Sequence, residues 1–147
     1  MRHANADWTN YNGSDFSRPL TTRGLLEAAA TGKKLLEAGL VPDLVIASSA
    51  QRTRQTAQLL CDALESTRTR ITFEPRLYNA TESQLLLVIR EVSGAHAHLL
   101  LVAHNPGVSE LSSLLGGGAP IRLGTGEYFS LQLEADTWRG LQIDSNG

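Results

Sequence analysis

Apolar residues recur along the chain in two alternating rhythms, helical spacing and short unbroken runs. Leu25, Leu26, Ala29, Leu35 and Leu36 follow Leu20-Thr21-Thr22 and precede Gly39, which predicts an amphipathic helix with a threonine cap and a glycine stop. Asp43 to Ala47 is a short, partly β-branched run and reads as a buried strand. Ala50 to Glu65 predicts a second helix, with Ala57, Leu60, Cys61 and Leu64 on one face. Ile71-Thr72-Phe73 reads as a brief strand, Thr81 to Val92 as a third helix capped by Thr81, and Leu99 to Ala103 as a buried strand. Pro106 suits the first position of a helix reaching Leu115, with Asn105 as its cap and Gly116-Gly117-Gly118 as its terminator. Glu127 to Leu133 and Trp138 to Ile143 are expected to be strands, joined by a turn at Glu134-Ala135-Asp136-Thr137.

Strands that alternate with helices predict an α/β fold, a three-layer sandwich with a mostly parallel sheet flanked by helices. At 147 residues the chain is expected to form one domain, 1–147, with a core of its own. The 41% hydrophobic and 19% charged residues are ordinary for a globular protein, and a net charge of −2 offers no field for nucleic acid. The one cysteine, Cys61, excludes an internal disulfide and is read as an inert, buried thiol in a reducing compartment. No apolar run approaches the ~18 residues of a membrane span, and no leader is recognised. The expectation is a cytoplasmic monomer that binds neither membrane nor nucleic acid.

Four residues fall just past strand ends. Arg2 and His3 open the chain, Arg52 lies early in the helix after Asp43–Ala47, and His104 follows Leu99–Ala103. Ligands of open α/β sheets bind outside the carboxyl ends of the strands. Arginine offers a planar fork of donors and imidazole a nucleophile or proton carrier, a set suited to a phosphoryl group. Arg52 sits awkwardly against the positive end of a helix dipole, which argues for an anion nearby. Backbone N–H groups from Asn105 to Val108 are expected to add to the same anion site. His96 and His98 lie at the entering end of a strand, remote from these residues. A histidine at a strand end also requires a strand before it. The first strand is therefore read as missing, and a β-prone stretch of about four to seven residues is expected upstream.

The segments Arg2-His3-Ala4, Asp15-Phe16-Ser17-Arg18-Pro19-Leu20-Thr21, Ser48 through Ala57 and Val102-Ala103-His104-Asn105-Pro106-Gly107 resemble, in order and spacing, the SixA-type phosphohistidine phosphatases. These belong to the histidine phosphatase superfamily, with the cofactor-dependent phosphoglycerate mutases. The resemblance implies a phosphoglycerate mutase-like fold and a metal-independent, cofactor-free phosphatase. His3 resembles its nucleophile, and Arg2, Arg52 and His104 the residues that clamp the phosphoryl group. Asn105 and Arg18 are further candidate substrate contacts, although Arg18, between Asp15 and Pro19, first reads as part of a structural ion pair that shapes its loop. The implied partner is a phosphohistidine-containing signalling protein. The alternatives are a small-molecule phosphomonoesterase of the same superfamily and a non-catalytic phosphate- or phosphoprotein-binding module.

One position departs from the resemblance. Where many of these enzymes carry a glutamate as general acid, this chain has Asn79. A general acid matters most for a poor leaving group such as an alkoxide. The departure therefore favours an N-phosphoryl substrate, with Glu82 or Asp7 as substitute acids.

Overall fold

The structure is a computed structural model in which residues 1–143 are described. At its centre a parallel sheet of β1 (Leu44–Ser48), β2 (Arg70–Glu74) and β3 (Leu99–Val102) runs in the order β2-β1-β3. Four helices flank it: α1 (Thr22–Glu37), α2 (Gln51–Leu64), α3 (Glu82–Arg90) and α4 (Gly107–Leu115). This is the α/β architecture that the alternating rhythms predict. No helix among the described residues is long and apolar enough to cross a membrane.

β1 shows why the strands read as unbroken apolar runs. Alternate side chains of a strand point to opposite faces, and here both faces are covered. Leu44 and Ile46 join Leu85, Ile89 and Leu111 of α3 and α4, whereas Val45 and Ala47 join Leu35, Leu60 and Leu64 of α1 and α2. The helix starts also follow local chemistry. Thr21 Oγ1 accepts from Gly24 N to cap α1, and Thr81 with Gln84 forms a reciprocal capping box at α3.

The buried face of α1 is not the leucine face expected from the sequence. Gly24, Ala28, Thr31, Gly32 and Leu35 are buried, while Leu25 and Leu36 are exposed and Leu26 is 70% exposed. The reason is close approach to α2. A Cβ on Gly32 would stand 2.5 Å from Leu60 O and 2.7 Å from Ala63 Cβ, so small residues must face the neighbour. Gly32→Ala is therefore expected to destabilise the fold by about 1–3 kcal/mol through overpacking, outweighing a helix-propensity gain of about 1 kcal/mol. A melting temperature that held or rose would show that the two helices part freely.

Two further expectations need correction. Glu127–Leu133 and Trp138–Ile143 are not strands. The backbone beside that segment is Met1-Arg2-His3, which meets it through Arg2 N to Glu127 O and Gly126 N to His3 O, both 3.0 Å. Beyond these two bonds no ladder forms, and Phe129, Leu133 and Trp138 pack as partly buried side chains on the α3–α4 core instead. Asn105 does not cap α4 either, because the cap position falls on Pro106. The Asn105 side chain instead donates from Nδ2 to Leu123 O at 2.8 Å and accepts from Ser109 Oγ at 2.6 Å.

Met1-Arg2-His3 extends the sheet beside β3. Met1 N donates to Leu101 O, Ala103 N to Met1 O and His3 N to Ala103 O, with Arg2 paired in parallel to Ala103. This alignment sets His3 level with the carboxyl ends of β1 and β3.

Candidate active site

At those carboxyl ends a cleft of about 510 Å³ opens, lined by Arg2, His3, Arg18, Arg52, Asn79 and His104 among others. The His3 and His104 rings lie 5.3 Å apart, tilted by 59°. His3 Nδ1 is 2.7 Å from Ala4 O. A carbonyl only accepts, so Nδ1 carries the ring hydrogen and Nε2 keeps its lone pair.

His104 Nε2 lies 2.8 Å from Ser48 Oγ, which itself accepts from Ala50 N. This contact engages His104 Nε2 and leaves Nδ1 without a partner. Burial, followed by the positive charge of Arg52, pushes His104 down to about 3. His3 is pushed down to about 4, chiefly by burial, against the opposing hydrogen bond to Ala4. Both rings are neutral at pH 7.

The arginines converge on one carboxylate. Asp15 Oδ2 accepts from Arg52 Nη2 at 3.1 Å and from the Tyr78 hydroxyl, Oδ1 accepts from Arg18 Nη2 at 3.1 Å, and the Asp15 carbonyl accepts from Arg52 Nη1 at 2.7 Å. These donors, the Tyr78 hydroxyl first, hold the Asp15 carboxyl down at about 2. Arg52, 3% exposed, is thus compensated at the start of α2 by Asp15, a protein anion that the sequence pattern does not assign to it. The Arg18–Asp15 pair is the ion pair expected from the loop sequence, and Arg18 also lines the cleft.

Arg2 Nη1 reaches Leu123 O at 3.3 Å. Among the described residues, the Nε atoms of Arg2, Arg18 and Arg52 and Nδ1 of His104 are buried without any partner. Buried polar groups are normally paired, so three unpaired guanidinium N–H groups and one unpaired imidazole nitrogen on residues around one cleft mark a site with hydrogen-bonding capacity to spare. Such a set suits an oxyanion.

Asn79 lines the cleft with a left-handed backbone, φ 50°, and Asp7 lines it as well. Glu82 does not. It hydrogen-bonds Glu110 on α4, which raises the Glu110 carboxyl. Asn105 reaches the cleft, but Val108 N donates to His104 O, so the expected free donor there is occupied. His96 pairs with Asp43 at 3.4 Å, below the opposite ends of the strands. Cys61 is half-buried, and burial pushes its thiol up to about 11, which leaves it inert. Sequence reasoning missed Ser48, Tyr78 and the role of Asp15 as a hub. Ser48 carried a usable signal, since it ends β1 at the carboxyl edge where sites form.

Residues 1–83 match the family model described as the histidine phosphatase superfamily (branch 1). The chain belongs to that superfamily. An uncharacterized chloroplastic protein of Arabidopsis thaliana is 29% identical over 94% of this chain, and the chain spans 66% of that relative's length. An uncharacterized protein of Mycobacterium tuberculosis is 34% identical over 78% of the chain and is spanned over 69% of its own length. Among solved structures, one assigned as a candidate phosphohistidine phosphatase SixA of Agrobacterium tumefaciens is 30% identical, with a TM-score of 0.72 over 80% of this chain and 74% of that one. The protein histidine phosphatase SixA complexed with tungstate is 26% identical, with a TM-score of 0.74 over 85% of this chain and 80% of that one. Phosphoglycerate mutase of Bacillus anthracis, 14% identical with a TM-score of 0.65 over 84% of this chain and 80% of that one, shares the fold. Membership in the histidine phosphatase superfamily supports a phosphatase.

The neutral histidines of this superfamily member make its stability depend on pH. Their folded values, about 4 and about 3, lie below the ordinary 6.5. Between pH 6.5 and those values the unfolded chain binds protons that the native state refuses, so stability is complete above about pH 6.5 and declines as pH falls. Asp15 continues the loss from its usual 3.8 toward about 2. A tenfold difference in proton affinity is worth about 1.4 kcal/mol, so the two rings together account for a few kcal/mol. Urea unfolding midpoints are expected to drop between pH 7.5 and 5, and His104→Gln to flatten that slope. A midpoint constant over this range would show that the imidazoles are solvated.

Proposed function

We propose that the chain is a metal-independent phosphatase for phosphohistidine carried by a signalling protein, with His3 as the nucleophile. The observation that carries this reading is the His3 ring: Nδ1 is tied to Ala4 O, Nε2 is unprotonated, and Arg2, Arg18, Arg52 and His104 line the same cleft. A similar structure, the protein histidine phosphatase SixA, was solved in complex with tungstate, a phosphate-like oxyanion, which supports an oxyanion ligand for this chain.

The His3 Nε2 lone pair attacks phosphorus, and the P–N bond to the substrate imidazole breaks. The departing nitrogen keeps the electron pair, and with its other nitrogen protonated the ring leaves as neutral imidazole. Water then attacks the phosphorus of phospho-His3. The His3 ring leaves as neutral imidazole because Nδ1 retains its hydrogen at Ala4 O, and the water's proton departs with phosphate. Charge spread over the phosphoryl oxygens is met by the guanidinium groups and by the His104 ring, so catalysis is mostly positioning and electrostatics.

A second reading, a small-molecule phosphomonoesterase, is favoured by the Asp7 carboxyl in the cleft, a candidate proton donor to an alkoxide. Phosphate release from a phosphohistidine peptide, a sugar phosphate and an aryl phosphate, each in the presence of chelator, separates the two. Fastest turnover of the phosphohistidine peptide is expected. Preference for the sugar phosphate would replace the first reading by the second, and loss of all activity in chelator would remove the metal-independent mechanism.

A further inference from the structure

Trp8 stands on the rim of this cleft and is 52% exposed. Its neighbours in the lining are charged and amide side chains such as Asp7, Asn5 and Arg18. An indole left in solvent among polar groups contributes nothing to the core, and exposed apolar surface inside a binding cleft marks where a ligand lies. The ring is also held in place. The Arg18 guanidinium stacks 4.7 Å from its centroid, and the Tyr11 ring lies 5.8 Å away. Arg18 in turn is fixed by Asp15, the carboxylate that also fixes Arg52. One carboxylate therefore sets both an arginine of the phosphoryl pocket and the cation that orients the indole.

We infer that Trp8 is the platform for the group that carries the phosphoryl, and that it selects a planar, nitrogen-bonded ring over an aliphatic or sugar carrier. The inference rests on the phosphatase reading above and names the part of the substrate that reading leaves open. The chemistry is specific. An N-phosphorylated imidazole whose second nitrogen is protonated is a flat cation, and an indole face attracts both its π-surface and its charge. A sugar offers no such charge, and an alkyl chain offers neither charge nor a flat face. Because the departing ring leaves with its second nitrogen protonated, stacking holds it in the orientation its loss requires.

The test compares N-phosphoimidazole with inorganic phosphoramidate, which shares the P–N bond but carries no ring. Trp8→Ala is expected to lower the ratio of kcat/KM for N-phosphoimidazole to that for phosphoramidate by about tenfold, mainly through KM, as an aromatic contact of ordinary strength requires. Trp8→Phe is expected to keep most of the ratio. An unchanged ratio, or an equal loss on both substrates, overturns the platform. Binding is read independently of turnover in Trp138→Phe, where Trp8 is the remaining tryptophan. Quenching of its fluorescence by N-phosphoimidazole but not by phosphoramidate supports the platform, and equal quenching or none overturns it. Selective quenching without hydrolysis of either compound would retain the platform and reject the phosphatase.

Discussion

Replacing His3 by alanine is expected to abolish a phosphoenzyme and to cut phosphate release from a phosphohistidine peptide by about 10⁶-fold, the scale seen when a covalent hydrolase loses its nucleophile. The expectation follows from the tautomer. With Nδ1 donating to Ala4 O, the ring is left with one lone pair, on Nε2, and burial keeps it unprotonated down to about pH 4. No other imidazole in the cleft is equally prepared, since His104 Nε2 is engaged by Ser48 Oγ. Rapid quenching into alkali should trap a label that acid releases, because a phosphoramidate survives base better than acid. His104→Ala should slow turnover while some labelling persists. Label that survives in His3→Ala would move the nucleophile to another residue.

A carboxyl introduced at position 79 is expected to raise hydrolysis of alkyl phosphates selectively, by up to about 10²–10⁴-fold, the usual contribution of a general acid. Asn79 lines the cleft, so a carboxyl there lies within the site. The backbone, however, is left-handed at φ 50°. Asparagine and aspartate accept that conformation through their short polar side chains, whereas glutamate incurs about 1–2 kcal/mol. Asn79→Asp is thus the less strained variant and Asn79→Glu the one with the longer reach. Both should leave phosphohistidine turnover within a few-fold of the starting protein, because its leaving imidazole does not need the new proton. A starting protein that already prefers a sugar phosphate would defeat this prediction and assign the proton to Asp7. Glu82 is not in the lining of the cleft and meets Glu110 instead.

The chain by itself determined the elements whose signals are local. Buried strands such as Leu99–Val102 show as unbroken apolar runs because both faces are covered, and the threonine caps of α1 and α3 declare where those helices begin. The positions of Arg52 and His104 were legible for the same reason, since they follow the last residues of β1 and β3, Ser48 and Val102, closely enough to lie at the carboxyl edge of a parallel sheet. Tertiary structure decided the rest. Leu25, Leu26 and Leu36 of α1 promised the wrong face, while Leu35 is buried as expected, because nothing local records that α2 approaches closely enough at Gly32 to require small residues. The tail read as strands because alternation is local, while the existence of a ladder depends on which backbone lies alongside it in space. Asp15, Ser48 and Tyr78 join the site across intervals of up to 63 residues. Their roles are set by which side chains meet in space: a carboxylate becomes a hub only where Arg18, Arg52 and Tyr78 all arrive, and a serine engages a histidine ring only where the ends of β1 and β3 bring the two within 2.8 Å.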